Sequence, residues 1–344
     1  MKKAVILFNL GGPDKLENVE PFLFNLFNDP AIISLPRILR KIVAKIISKR
    51  RAPISKKIYE AIGGRSPILE LTKKQAKSLE KKLNDDNKKD IHKCFVVMRC
   101  WHPRAEAVLN IIKKFDPEEL ILLPLYPQYS ASTSRSSILE WENICLKHKY
   151  DKPIKIICCY PTEEEFIKGH VSLIRNEIKY LNEFKLIFSA HGLPEKNIKK
   201  GDPYQWQVQQ SVNKIIEKLN LSNLDWILSY QSRVGPLKWI GPSTEDEIIK
   251  ASKQKKIIVA VPIAFVSEHS ETLVELDIEY KKLAEENGCK KFIRIPALGT
   301  KEEFIQALTN LVHKSNLLDK KSDICYPQNK CPSNFKKCMC SDRP

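Results

Sequence analysis

Short apolar runs recur along the chain with longer amphipathic stretches between them: Ala4–Leu10, Cys94–Met98, Glu119–Leu125, Ile154–Cys159, Lys185–Ser189, Asp225–Ser229, Lys256–Val261 and Lys291–Ile295. Their apolar character is continuous rather than alternating, so both faces of each predicted strand must be covered. Parallel strands joined by crossover helices meet that requirement, and the runs divide into four and four. Most end in Gly, Pro or a polar group: Gly11-Gly12-Pro13, Tyr126-Pro127, Tyr160-Pro161, Ser189-Ala190-His191-Gly192 and Ser229-Tyr230-Gln231-Ser232. Ligands of open α/β sheets sit beyond the carboxyl ends of the strands, so chemistry is sought there. The pattern predicts two α/β lobes, 1–160 and 161–317, and a Cys-, Lys- and Pro-rich extension over 318–344.

With 344 residues, 42% hydrophobic and 29% charged, the chain can bury a real core, which excludes disordered and fibrous classes. Its 58 Lys+Arg against 41 Asp+Glu leave a net charge of +17. Such a surface favours nucleic acid, an anionic membrane face or a polycarboxylate substrate, although general enrichment in Lys, Ile and Asn accounts for much of the excess. No motif for nucleic-acid recognition accompanies the charge. Apolar runs fall far short of the roughly 20 residues a spanning helix needs, and the first ten residues lack the form of a signal peptide. The expectation is a cytoplasmic protein, with peripheral attachment to the inner face of the membrane. In a reducing compartment its 10 Cys are expected to be thiols, and a Cys cluster reads first as a metal site.

One segment differs from the rest. Ile38, Leu39, Ile42, Val43, Ile46 and Ile47 form a helical stripe, while Arg37, Arg40, Lys41, Lys45, Lys49, Arg50 and Arg51 supply the other face. A helix of this kind lies at an anionic membrane surface, or else turns its apolar face to the core and its basic face to water.

Two constellations carry candidate chemistry. His191 sits at a strand-to-loop edge among small residues, where an imidazole has room to face a cleft as metal ligand or proton acceptor. Glu271, Glu275 and Glu279 are four apart, which on an α-helix places three carboxylates on one face, with Glu268 and His269 just ahead of them. A solvated acidic face is the ordinary meaning of such a row. In a basic protein, beside a His, it also suits accepting protons or handing a divalent cation inward.

The stretches LFNLGGP from Leu7, GGRSPIL from Gly63, MRCWHP from Met98, LPLYPQYSAST from Leu123, FSAHGLP from Phe188, GDPY from Gly201, SYQSRVGPLKWIGPST from Ser229 and PIAFVSEHSETLVELDIEY from Pro262 closely resemble those of the ferrochelatases. These enzymes insert ferrous iron into a porphyrin at the end of haem synthesis. The resemblance implies two flavodoxin-like (Rossmann-like) lobes, each a four-stranded parallel sheet with helices on both faces, and a porphyrin cleft between them. It implies Fe²⁺ and protoporphyrin IX as substrates, with coproporphyrin or another divalent metal as the alternative reading. By position it makes His191 and Glu271 the catalytic, metal-handling pair and His269 and Glu275 their supporting network. Arg51, Tyr59 and Ser66 match porphyrin contacts, and Leu10, Tyr126 and Trp239 match cleft walls. Arg135, Cys100 and Glu268 depart from the usual Gly, aromatic and Asp.

In the extension, the spacing of Cys331, Cys338 and Cys340 resembles the C-terminal motif of bacterial ferrochelatases that hold a [2Fe–2S] cluster. A fourth thiolate is required, with Cys325, Cys145 and Cys158 as candidates. The alternative is a tail of free thiols.

Overall fold

The computed structural model describes residues 1–233, 235, 237–316 and 331–340, and the backbone of 323–325. The chain divides into two compact units, Met1–Cys159 with Leu308–Cys325, and Tyr160–Ala307 with Tyr326–Pro344.

The first unit holds a parallel sheet in the order β2-β1-β3-β4-β9. Its strands are β1 (Lys2–Asn9), β2 (Ile91–Met98), β3 (Glu119–Pro124), β4 (Ile154–Cys159) and β9 (Asp323–Cys325). Ala4 to Leu7 and Leu120 to Leu123 have no exposed surface, so consecutive residues on both faces are covered, as the unbroken apolar runs require. The crossovers are α1 (Val19–Phe27), α2 (Arg37–Glu60) and α3 (Ile68–Asp86) after β1, α4 (Ala105–Phe115) after β2, and α5 (Ser136–Lys147) after β3. Phe8 of β1 packs edge-on against the fully buried Trp141 of α5, with ring centroids 6.1 Å apart. The four-stranded expectation is corrected here, because the extension supplies a fifth strand. Three residues suffice, since β4 would otherwise end the sheet with unpaired backbone groups.

Helix α2 buries Ala44, Ser48, Ala52, Ser55 and Tyr59. Small residues let the helix pack closely, while Ile38, Leu39, Ile42, Ile46 and Ile54 are exposed, Ile38 to 74%. Ile38, Leu39, Ile42 and Ile46 of the stripe therefore face outward, while Val43 and Ile47 are half-buried.

The second unit holds a parallel sheet in the order β6-β5-β7-β8. Its strands are β5 (Phe184–His191), β6 (Trp226–Gln231), β7 (Ile257–Pro262) and β8 (Lys291–Arg294). Helix α6 (Glu164–Ile178) precedes β5, α7 (Glu195–Lys199) and α8 (Tyr204–Leu219) follow it, and α9 (Thr244–Lys253) follows β6. A π-helix over Glu271–Tyr280 and α10 (Lys281–Glu286) lead from β7 to β8, and α11 (Glu302–Asn316) comes after it. Register pairs His191 with Gln231 across β5 and β6, and Ser189 with Pro262 across β5 and β7. The carboxyl ends of the two central strands, β5 and β7, and of the edge strand β6 thus converge where the second unit carries its polar groups.

Candidate active site

His191 is the last residue of β5, and its half-buried ring places Nδ1 2.9 Å from Oε2 of Glu271. Burial opposes a charge on this imidazole, but the carboxylates of Glu271 and Glu275 outweigh it and raise the His191 pKa. For Glu271 burial acts upward, yet the facing His191 holds the carboxyl well below its usual range. Each group therefore favours the charged form of the other.

Gly192 follows with no room for a side chain. A Cβ there would lie 2.9 Å from the carbonyl oxygen of Gln231 and 3.3 Å from the Trp239 ring. Trp239 is held over this turn by an antiparallel bridge to Pro194, and Ile240 N–H bonds Leu193 O at 3.0 Å.

Glu271 opens the π-helix and Glu275 stands one turn on. His269 lies just before it: its Nδ1 accepts the Glu271 N–H at 2.9 Å, and its own N–H bonds Thr272 Oγ1 at 3.0 Å. Accepting at Nδ1 puts the proton of the neutral ring on Nε2. Burial lowers the His269 pKa against the pull of Glu271 and Glu268, so this ring is neutral and structural. Phe265 packs edge-on to it at 4.6 Å.

Glu275 is the most fully bonded group of the site. Oε1 accepts from Ser232 N–H at 2.7 Å and from Tyr280 Oη at 2.9 Å; Oε2 accepts from Ser232 Oγ at 2.6 Å and Gln231 Nε2 at 2.8 Å. Burial and the Glu271 charge still push its pKa above the usual carboxyl value despite those donors. Gln231 Nε2 also bonds Glu271 O at 3.0 Å, and Ser189 Oγ donates to Gln231 Oε1 at 2.7 Å. One buried amide thus links β5, β6 and the π-helix.

The expected α-helical row is corrected: with i→i+5 bonding, Tyr280 rather than Glu279 joins Glu275, and Glu279 is exposed. Gln231, Ser232, Ser189 and Tyr280 were not singled out from the sequence. The position of Gln231 and Ser232 at a strand's carboxyl end was the available signal.

The first unit places Tyr59 in a hydrophobic cluster with Val19, Phe22 and Trp101, against which Leu10 packs. Ser66 N–H bonds Pro13 O at 2.8 Å, and a Cβ on Gly12 would strike the Ser66 side chain at 2.5 Å. Arg51 is half-buried on α2. Tyr126 follows β3 with its hydroxyl buried, and burial drives its pKa up.

Three of the expected cluster cysteines are described in the extension. Cys340 is disulfide-bonded, Cys331 Sγ accepts from Gln207 Nε2 at 3.2 Å, and Cys338 is a buried thiol. A sulfur in a disulfide is not a thiolate ligand, and among the described residues no three His, Cys, Asp or Glu side chains gather as a metal group. Cys145 and Cys158 are buried thiols in the first unit, and the Cys325 side chain lies outside the described residues. The described residues thus give the [2Fe–2S] expectation no support. Packing arranges the segment instead: Phe335 lies 5.7 Å from Trp206, and Lys337 N–H bonds Gly201 O at 3.1 Å.

The family model described as Ferrochelatase matches residues 2–316. Ferrochelatase of Pelagibacter ubique is 66% identical over 99% of both chains, and that of Rickettsia conorii is 51% identical over 99% of both. Among solved structures, SirB from Bacillus subtilis with Fe³⁺ matches with a TM-score of 0.52 at 13% identity, covering 92% of this chain and 96% of that one, a likeness of fold. On the family match and these identities, the chain belongs to the ferrochelatase family.

Proposed function

We infer that the protein inserts ferrous iron into protoporphyrin IX to give protohaem, as a lyase that breaks two pyrrole N–H bonds and releases two protons. The observation that carries the reading is the His191–Glu271 pair at the end of β5, in a chain of this family. No electron is transferred: Fe²⁺ enters as substrate, and four ring nitrogens replace the ligands it brings. Nitrogen and carboxylate donors suit a ferrous ion held briefly before transfer.

Neutral His191 takes a pyrrole proton, and Glu271 at 2.9 Å stabilises the imidazolium that results. Glu275, with its raised pKa, is the better place for a proton to rest next. His269 holds the start of the π-helix in place. Trp239 offers a flat surface on which the macrocycle can be pressed out of plane, which exposes its nitrogens to the metal. Arg51 pairs with a propionate, and Tyr59, Ser66, Leu10 and Tyr126 are the remaining porphyrin contacts in this proposal.

Membrane attachment is part of the same proposal. Exposed Ile38, Leu39, Ile42 and Ile46, flanked by Arg37, Lys41, Lys45 and Lys49, suit reversible binding to an anionic surface on the cytoplasmic side. Among the described residues no helix is long and apolar enough to cross a membrane.

The deciding experiment supplies purified protein anaerobically with Fe²⁺ and either protoporphyrin IX or coproporphyrin, and follows loss of porphyrin fluorescence. Metallation of protoporphyrin IX is expected. Turnover of coproporphyrin alone would replace the substrate assignment, and turnover of neither would remove the reading.

A further inference from the structure

Arg294 ends β8 with its side chain only 12% exposed and turned to two carboxylates of the preceding crossover. Its Nε and Nη2 form a fork on Asp277, 2.8 Å to Oδ1 and 2.5 Å to Oδ2. Its Nη1 reaches Glu268 Oε1 at 2.5 Å, and that oxygen also accepts the Ala297 N–H at 2.9 Å. Glu268 stands immediately before His269, and Asp277 lies within the π-helix beyond Glu275. One cation therefore ties both ends of segment 268–277, and His269, Glu271 and Glu275 all lie between the ties.

Two physical features make those ties matter. A π-helix has poorer hydrogen-bond economy than an α-helix and persists where its surroundings hold it. Glu268, Glu271, Glu275, Asp277 and Glu279 also put five carboxylates into twelve residues, a density that drives the segment apart without compensation. Arg294 neutralises the two that turn away from His191 and leaves Glu271 and Glu275 to the site. Its planar fork suits this double contact in a way that an ammonium group does not.

We propose that Arg294 is a positioning residue for metal insertion, fixing the entry and the middle of the π-helix so that Glu271 stays on His191 and Glu275 on Ser232. Arg294 touches neither porphyrin nor iron in this scheme, which rests on the iron-insertion reading above. Slack of about 1 Å at reacting groups costs about 100-fold in rate, so a loosened segment should slow turnover without weakening porphyrin binding.

The test compares the full-length protein with Arg294→Met, Arg294→Lys and the triple variant Arg294→Met/Glu268→Gln/Asp277→Asn. Anaerobic kinetics with Fe²⁺ and protoporphyrin IX are combined with hydrogen exchange of the peptide covering 268–277. For Arg294→Met, kcat should fall between about tenfold and about 100-fold with porphyrin KM within about twofold, and exchange over 268–277 should accelerate. Arg294→Lys should lie between it and wild type, because one ammonium keeps the charge and one contact. The triple variant should remain slow, since it removes the repulsion but not the ties. Wild-type kcat and exchange in Arg294→Met, or a rate restored in the triple variant, would overturn the positioning role. A wild-type protein that metallates no porphyrin removes the functional reading instead, and the exchange result then decides the clamp by itself.

Discussion

Ser232 gives Glu275 both its backbone N–H, at 2.7 Å, and its hydroxyl, at 2.6 Å, from a left-handed backbone with φ of 60°. A residue with a Cβ adopts that conformation at a cost of about 1–2 kcal/mol. The strain turns N–H and hydroxyl toward the same carboxylate, which an extended serine would not do. Ser232→Ala keeps the strain and loses the hydroxyl bond, whereas Ser232→Gly loses the bond and relieves the strain. Urea unfolding should therefore rank wild type above Gly and Gly above Ala, with Ala lower than wild type by about 1–3 kcal/mol. An Ala variant more stable than the Gly variant would show that the left-handed backbone carries no cost here.

The His191–Glu271 pair sets a pH dependence whose sign follows from its chemistry. The acceptor is the neutral imidazole, and Glu271 raises the pKa of His191, so turnover should climb as pH rises through that raised value. Glu271→Gln removes the attracting charge, which should lower the His191 pKa and move the climbing limb to lower pH, with a plateau reduced by about 10²-fold or more. His191→Ala should abolish the limb along with turnover while porphyrin still binds. Rate–pH profiles under anaerobic conditions read all three, and a limb that stays in place or moves to higher pH in Glu271→Gln would refute the assignment.

Gly192 is constrained by its neighbours. In Gly192→Ala the new methyl group meets the Gln231 carbonyl oxygen at 2.9 Å, a backbone atom that cannot swing away, and the Trp239 ring at 3.3 Å. The expected loss is about 1–3 kcal/mol of stability, with a weaker porphyrin KM as Trp239 is displaced. Denaturation and steady-state kinetics on one preparation test both parts, and unchanged values in both would mean that the β5–β6 turn relaxes freely.

The strand cores were most legible where both faces are covered, as in β1 and β3. Ile154–Cys159 coincides with β4, and Lys291–Ile295 overshoots β8 by a single residue. His191 and Glu271 were legible through strand-end placement and through motif. The π-helix was not, because α and π bonding place almost the same residues on the buried side, and spacing alone made Glu279 a member of the site in place of Tyr280. Gln231 stands at a strand end in the sequence but carries no assignable role there, because an uncharged amide has no chemical signature until its partners are in view. Strand β9 escaped because three residues in a polar tail are too short to show a pattern.

The outward Ile38, Leu39, Ile42 and Ile46 predict salt-sensitive binding to lipid. In vesicle co-sedimentation, wild type should pellet with anionic vesicles at low salt, less so at high salt, and little with neutral ones. Ile38→Asp/Ile42→Asp should stay in the supernatant while retaining its fold, since neither side chain belongs to the buried face of α2. Equal pelleting of both proteins would locate the attachment elsewhere.

The recruitment of Asp323–Cys325 beside β4 bears on how the molecule is born. Synthesis runs from the amino end, so residues 1–159 leave the ribosome long before the segment Leu308–Cys325 that completes their unit. Throughout translation of the second unit, β4 is a bare border strand, the kind of edge that recruits foreign strands. The nascent chain thus passes through a period of vulnerability to mispairing that ends only as Asp323–Cys325 emerges, and a message truncated before residue 323 would leave that edge open for good.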